Sequence, residues 1–121
     1  MENILIVLGL IVVYVVIDTI RFKDIKKVSV SELKEVMSKK DKNNMYVDVR
    51  EPDEYRSGKI KGFVNIPVMS ISNQLGKFSK ENHIYVICQS GSRSKSAARK
   101  LYKAGYKDVI TVKGGMSQWR N

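Results

Sequence analysis

Cys88 is the one cysteine of this chain, and Gln89-Ser90-Gly91-Ser92 separate it from Arg93. A free cysteine is more often an inert, buried small hydrophobe than a reagent. Three features of the residues that follow argue for chemistry instead. The Gln89–Ser92 stretch is small and flexible, and Gly91 can take a left-handed conformation, so successive backbone N–H groups can converge on one point as an anion-binding nest. The stretch runs straight into a helix-like sequence, whose free N-terminal N–H groups and dipole favour negative charge. Arg93 adds a permanent positive charge on a forked donor array, and Ser90, Ser92 and Ser94 add hydroxyl donors. Nest and helix terminus both lower a thiol pKa, and the thiolate is the reactive form. These residues read as a cysteine nucleophile activated by its own loop.

No histidine base accompanies it. His83, the only histidine, lies five residues upstream on the same strand-like run, and odd spacing turns its side chain to the opposite face. It is read as structural, which argues against a Cys–His hydrolase. Asp48 and Arg50 close another strand at the same edge of the sheet. They are expected to form an ion pair, with Glu54 or Arg56 as further partners, and to support the site from behind.

Alternating elements would position these groups. The runs "IKKVSV", "NMYVDV", "FVNIP", "HIYVIC" and "DVITV" read as strands. "SELKEVMSKK", with Leu33, Val36 and Met37 at helical spacing, reads as a helix capped by Ser31. "DEYRSG" is one helical turn stopped at Gly58, and "SISNQLGKFS" a weak amphipathic helix. "SRSKSAARKLYKAGY" is a helix with Ala97, Ala98, Leu101 and Tyr102 on one side and Gly105 at its end. "GGMSQWR" is a turn needing positive φ at Gly114 and Gly115, followed by a short helix. Trp119 and Tyr55 are expected to pack, and "KKDKNN" to be a solvated loop. The alternation predicts an α/β fold, a mostly parallel sheet flanked by helices. "HIYVIC" is apolar enough to be its middle strand. Ligands bind such sheets where strands end and helices begin, which is where Cys88 stands.

Three stretches together resemble the rhodanese family. "CQSGSRS", Cys88 to Ser94, is similar to that family's active-site loop, C-x-x-G-x-R-[ST]. "DVREPDEYRSGKIKGFVNIP", Asp48 to Pro67, resembles its D-V-R-x-x-x-E-[FY]-x-x-G-H-I-x-G-A-x-N-I-P segment, with Lys59 and Lys61 where His and Pro are usual. "VKGGMSQW", Val112 to Trp119, resembles its closing G-G-x-x-x-W segment. The resemblance implies the three-layer rhodanese-like fold and sulfur transfer. Cys88 would be the catalytic residue, becoming a persulfide. Gln89, Ser90, Gly91, Ser92, Arg93 and Ser94 would bind the substrate. The implied partners are a small anionic sulfur donor such as thiosulfate and an external thiol or other sulfur acceptor, since no second cysteine can resolve the persulfide. No metal or organic cofactor is expected.

Phosphatases and arsenate reductases also use a cysteine loop with an arginine, but their loops are one residue longer than the four between Cys88 and Arg93. The shorter ring of amides suits a single sulfur better than a tetrahedral oxyanion. A redox-sensing thiol remains open, because it needs the same activated thiolate, as does a membrane-tethered interaction module.

The opening of the chain is of another kind. Ile4–Ile17 is 14 residues without a charge; taken to Ile20 it includes Asp18 and Thr19 and becomes 17 residues. As a helix that is about 25 Å against roughly 30 Å of hydrocarbon, a short but feasible span. The division expected is a transmembrane anchor over 1–20, contacting the membrane through residues 4–20, and a rhodanese-like domain over 21–121. A secretory signal fits less well, since Glu2 and Asn3 precede the run and no Ala-x-Ala site follows. Arg21, Lys23, Lys26 and Lys27 after it place the domain on the cytoplasmic side of a single-pass cell-membrane protein. Residues 21–121 carry 22 basic against 10 acidic side chains, a net +12. No helix-turn-helix, zinc spacing or aromatic-interleaved RNA motif accompanies that charge, so no nucleic acid is expected; an anionic leaflet and anionic substrates account for it.

Overall fold

The computed structural model describes residues 2–120. Five parallel strands form one sheet in the order β1-β5-β4-β2-β3: β1 is Lys26–Val28, β2 Asn44–Asp48, β3 Val64–Asn65, β4 His83–Ile87 and β5 Val109–Val112. The most apolar run is the central strand, as its composition demands. Residues alternate across it. Ile84, Val86 and Cys88 face a core closed by Ala97, Ala98 and Leu101, whereas Ile87 faces a second core with Leu33, Ile60 and Phe63. The helices are α1 (Glu2–Arg21), α2 (Val30–Ser38), α3 (Pro52–Ser57) and α4 (Ser92–Lys103). Helix α4 packs against one core and α2 against the other, on opposite faces of the sheet, which gives the expected three layers.

Two local expectations are corrected. The cap of α2 is Ser29, not Ser31: its Oγ accepts from the Glu32 amide at 3.1 Å and Glu32 Oε1 accepts from the Ser29 amide at 3.4 Å. This is the reciprocal S-x-x-E box, and it starts the helix two residues earlier. The "SISNQLGKFS" region is not an amphipathic α-helix but two 3₁₀ segments, Val68–Asn73 and Leu75–Lys77. Val68 and Ile71, three apart, are the side chains the first segment buries, and a three-residue turn places such a pair on one face.

His83 lies at the opposite end of β4 from Cys88, with Nδ1 against the Asp108 carboxylate. "KKDKNN" is largely exposed, as expected. Helix α1 buries none of its residues. Its large apolar side chains from Ile4 to Ile20 all stay at least half exposed, and the helix is long and apolar enough to cross a membrane.

Candidate active site

Cys88 follows the last residue of β4 and is buried, 1% exposed. The chain then turns through Gly91, at φ 120°, into α4. No side chain caps that helix, so the amides around its start are left for another acceptor. The acceptor is sulfur. The Gly91 amide donates to Cys88 Sγ at 2.9 Å, and Ser94 Oγ lies 3.5 Å from the same atom while donating to the Gly91 carbonyl at 2.9 Å. Ser94 is itself fully buried, on the first turn of α4.

Burial pushes the Cys88 thiol up, but the hydrogen bond with the Ser94 hydroxyl and those from the Ser94, Gly91 and Ser90 amides outweigh it, and the pKa is lowered from its ordinary value. The Ser94 hydroxyl is the largest of the lowering contributions. Ser94→Ala should therefore move the pH midpoint of Cys88 alkylation upward. At neutral pH its iodoacetamide rate should fall on the order of tenfold, the worth of one hydrogen bond to a charged group. An unchanged midpoint would remove Ser94 from the activation of the thiol.

Arg93 does something the sequence does not announce. Its Nη1 and Nη2 grip the Glu54 carboxylate at 2.5 and 2.9 Å, tying the start of α4 to α3. Glu54 also accepts from the Glu51 amide at 3.1 Å. The Arg93 hydrogen bonds, helped by that amide and by the charges of Arg93 and Arg50, take the Glu54 pKa down to about 2 against a partly opposing burial. Because the folded value lies below the ordinary one, this pairing contributes fully above pH 4.5 or so and is lost only as pH falls toward 2. The pair uses two of the five donors of the guanidinium.

Asp48 and Arg50 form the anticipated ion pair with each other rather than with Glu54 or Arg56. Arg50 Nη2 meets Asp48 Oδ2 at 2.8 Å and Nε meets Asp48 Oδ1 at 3.0 Å, with 5% and 1% of the two side chains exposed. Arg50 also donates to the Gly58 carbonyl at 2.7 Å. Arg56 pairs instead with Asp53 on the surface. Asn65, which sequence reasoning passed over, donates from Nδ2 to the carbonyls of Asp48 and Arg50, both at 2.9 Å. Between them the Val49 amide donates to the Ile87 carbonyl at 2.9 Å, one residue before Cys88. This cluster braces the strand end behind the sulfur.

The turn at Gly114 and Gly115, at φ 72° and 58°, serves the loop as well. The Met116 amide donates to the Cys88 carbonyl at 2.8 Å and the Ser117 amide to the Gln89 carbonyl at 3.0 Å. With those carbonyls held outward, the loop amides are free to turn inward. A Cβ on Gly115 would run into both carbonyl oxygens, which is why a glycine stands there. Gln89, Ser90 and Ser92 are exposed at the mouth of the loop. Tyr55 donates to the Phe63 carbonyl at 2.5 Å under the Lys59 ammonium, and Trp119 packs against the second core.

A cysteine loop of this length, seated between β4 and an uncapped helix, agrees with a family model: that of the rhodanese-like domain, matched over residues 29–121. The chain belongs to the rhodanese-like family. Two relatives and one solved structure show what it is similar to within that family. A putative sulfur carrier protein YrkF of Bacillus subtilis is 37% identical over 78% of this chain, and the match spans 51% of that relative's length. A putative mitochondrial thiosulfate sulfurtransferase of Schizosaccharomyces pombe is 34% identical, with 78% of this chain and 80% of the relative covered. The crystal structure of a rhodanese-like domain protein from Staphylococcus aureus superposes with a TM-score of 0.72 at 32% identity, covering 80% of this chain and 93% of that one. The fold expected from the three motifs is thereby established. Residues before Ser29 lie outside the match, so the rhodanese-like domain does not account for α1.

Proposed function

We propose that the protein is a sulfurtransferase that carries a sulfane sulfur on Cys88. The observation that carries this reading is the Gly91 amide at 2.9 Å from Cys88 Sγ, beside a buried Ser94 hydroxyl, at the start of an uncapped helix. Such a setting stabilises negative charge on sulfur, first as thiolate and then as persulfide. Relatives named as thiosulfate sulfurtransferases support thiosulfate as the donor class.

The geometry supports the following step. Cys88 thiolate attacks the outer sulfur of thiosulfate. An S–S bond forms to Sγ, the S–S bond of thiosulfate breaks, and sulfite leaves with the electron pair. The amides of Ser90, Gly91 and Ser94 hold the charge of the terminal sulfur. An external thiolate or cyanide then attacks that sulfur, takes it, and returns Cys88 as thiolate. Arg93, held by Glu54, fixes the first turn of α4 so that the amides stay convergent. Asp48 and Arg50 support the strand end without touching substrate.

Two half-reactions through one covalent intermediate require ping-pong kinetics. Initial rates against thiosulfate at several fixed acceptor concentrations should give parallel double-reciprocal lines. Lines that intersect would require donor and acceptor to be bound together and would exclude the covalent route.

The apolar helix belongs to the same proposal. Its length, composition and exposed apolar surface support a single membrane span, and the four basic residues from Arg21 to Lys27 support a cytoplasmic domain.

A further inference from the structure

Residues of the catalytic loop line a cavity of about 580 Å³, and part of that lining lies outside the family domain. Ser90, Gly91, Ser94 and Lys95 contribute to it. So do Lys23, from the linker after α1, Lys27, on β1, and Lys113, just after β5. The linker is held there by contacts of its own. Asp18 pairs with Arg99 at 2.9 Å. Phe22 is buried, edge-on to Tyr102 at 5.9 Å between centroids, and lies under the Arg99 guanidinium at 4.9 Å. Tyr102 in turn donates to Asp24 at 3.4 Å.

These contacts decide the charge of the cavity. Asp18 is the one acid lining it, and Arg99 neutralises that carboxylate. Among the described residues none of Lys23, Lys27, Lys95 and Lys113 carries an ion pair. Four lysines therefore line one cavity beside the loop that carries the nucleophile. Gathering like charges costs free energy that a bound anion offsets, and concave walls concentrate the field.

We infer that the segment between α1 and the family domain completes an oxyanion-binding site next to the Cys88 loop, in which Lys23 and Lys27 act with Lys95 and Lys113 to hold a small divalent oxyanion. The site selects anionic over neutral sulfur compounds. The identity of the anion as a sulfur donor rests on the sulfurtransferase reading, but the site itself does not. The same chemistry is offered by a free oxyanion and by a phospholipid headgroup, since the linker follows directly on the apolar helix.

The test needs no turnover. The full chain is placed in nanodiscs of uncharged phosphatidylcholine, and alkylation of Cys88 by neutral iodoacetamide is followed as sulfate is added at constant ionic strength. Sulfate should slow alkylation. A Lys23→Glu, Lys27→Glu double variant should need at least about fivefold more sulfate for half protection, and Lys113→Glu, just after β5, should shift in the same direction. A remote pair, Lys39→Glu with Lys42→Glu, should behave as the unaltered protein and so controls for total charge. Protection by anionic phosphatidylglycerol without sulfate would identify a headgroup as the occupant. Protection by sulfate alone would identify a free anion. If sulfate does not slow alkylation, or slows it equally in all variants, the inference is overturned. Failure of sulfur transfer would show separately, as an intact protection pattern without a persulfide.

Discussion

Cys88→Ser should abolish sulfur transfer while leaving the fold in place. Turnover of thiosulfate with a thiol or cyanide acceptor should fall on the order of a thousandfold or more, as expected when a covalent nucleophile is removed. A serine hydroxyl cannot attack and release sulfane sulfur at neutral pH, and no second cysteine exists to replace it. The fold should tolerate the change because the smaller hydroxyl inherits two partners, the Gly91 amide and Ser94 Oγ. Steady-state turnover and thermal melting of the variant check the two halves of this expectation. Turnover above a tenth of the unaltered rate would show that the chemistry resides elsewhere. A collapse in melting temperature would show that Cys88 is chiefly a packing residue.

Arg50→Ala should be the most damaging substitution for stability, at about 3–5 kcal/mol. Asp48 is wholly buried, and the Arg50 side chain donates three hydrogen bonds to its carboxylate. Removing that side chain leaves an uncompensated carboxylate in the interior and a Gly58 carbonyl without its donor. For a domain of this size the loss corresponds to a fall in Tm of at least about 12 °C. Arg56→Ala makes the contrast. Its pairing with Asp53 is 69% and 91% exposed, and such surface pairs contribute about 0–1 kcal/mol. Thermal melts of both variants decide the matter: equal shifts would contradict the assignment of Asp48 and Arg50 as the buried brace behind Cys88.

What could be read from the residues in advance follows from range. The strand carrying Cys88 and the helix after it are specified by neighbours: an apolar alternation from His83 to Ile87, small loop residues, then Ala97, Ala98 and Leu101 at helical spacing. The positive φ at Gly114 and Gly115 was legible for the same reason, since few residues tolerate it. The Ser29 cap was also written locally, as Ser29-Val30-Ser31-Glu32, but its reciprocal box is satisfied only by starting the helix earlier than the apolar spacing indicates. Other features depend on residues far apart. Arg93 reads as a free oxyanion ligand until Glu54, 39 residues away, is seen to occupy it. Asn65 is one polar residue in a short strand, and nothing singles it out until its amide is seen to bridge two carbonyls of the β2 end. Phe22, a single aromatic in a basic linker, has no periodic neighbours, and only tertiary packing reveals that it docks the linker against α4.

The central claim is that Cys88 holds a sulfane sulfur, and intact mass measures it most directly. The full chain, in detergent or nanodiscs, is exposed briefly to thiosulfate beside the Cys88→Ser variant. The account predicts a gain of one sulfur atom, absent from the variant and removed by cyanide or a thiol. A Cys88 that alkylates readily at neutral pH yet gains no sulfur from thiosulfate or any other sulfane donor would contradict it.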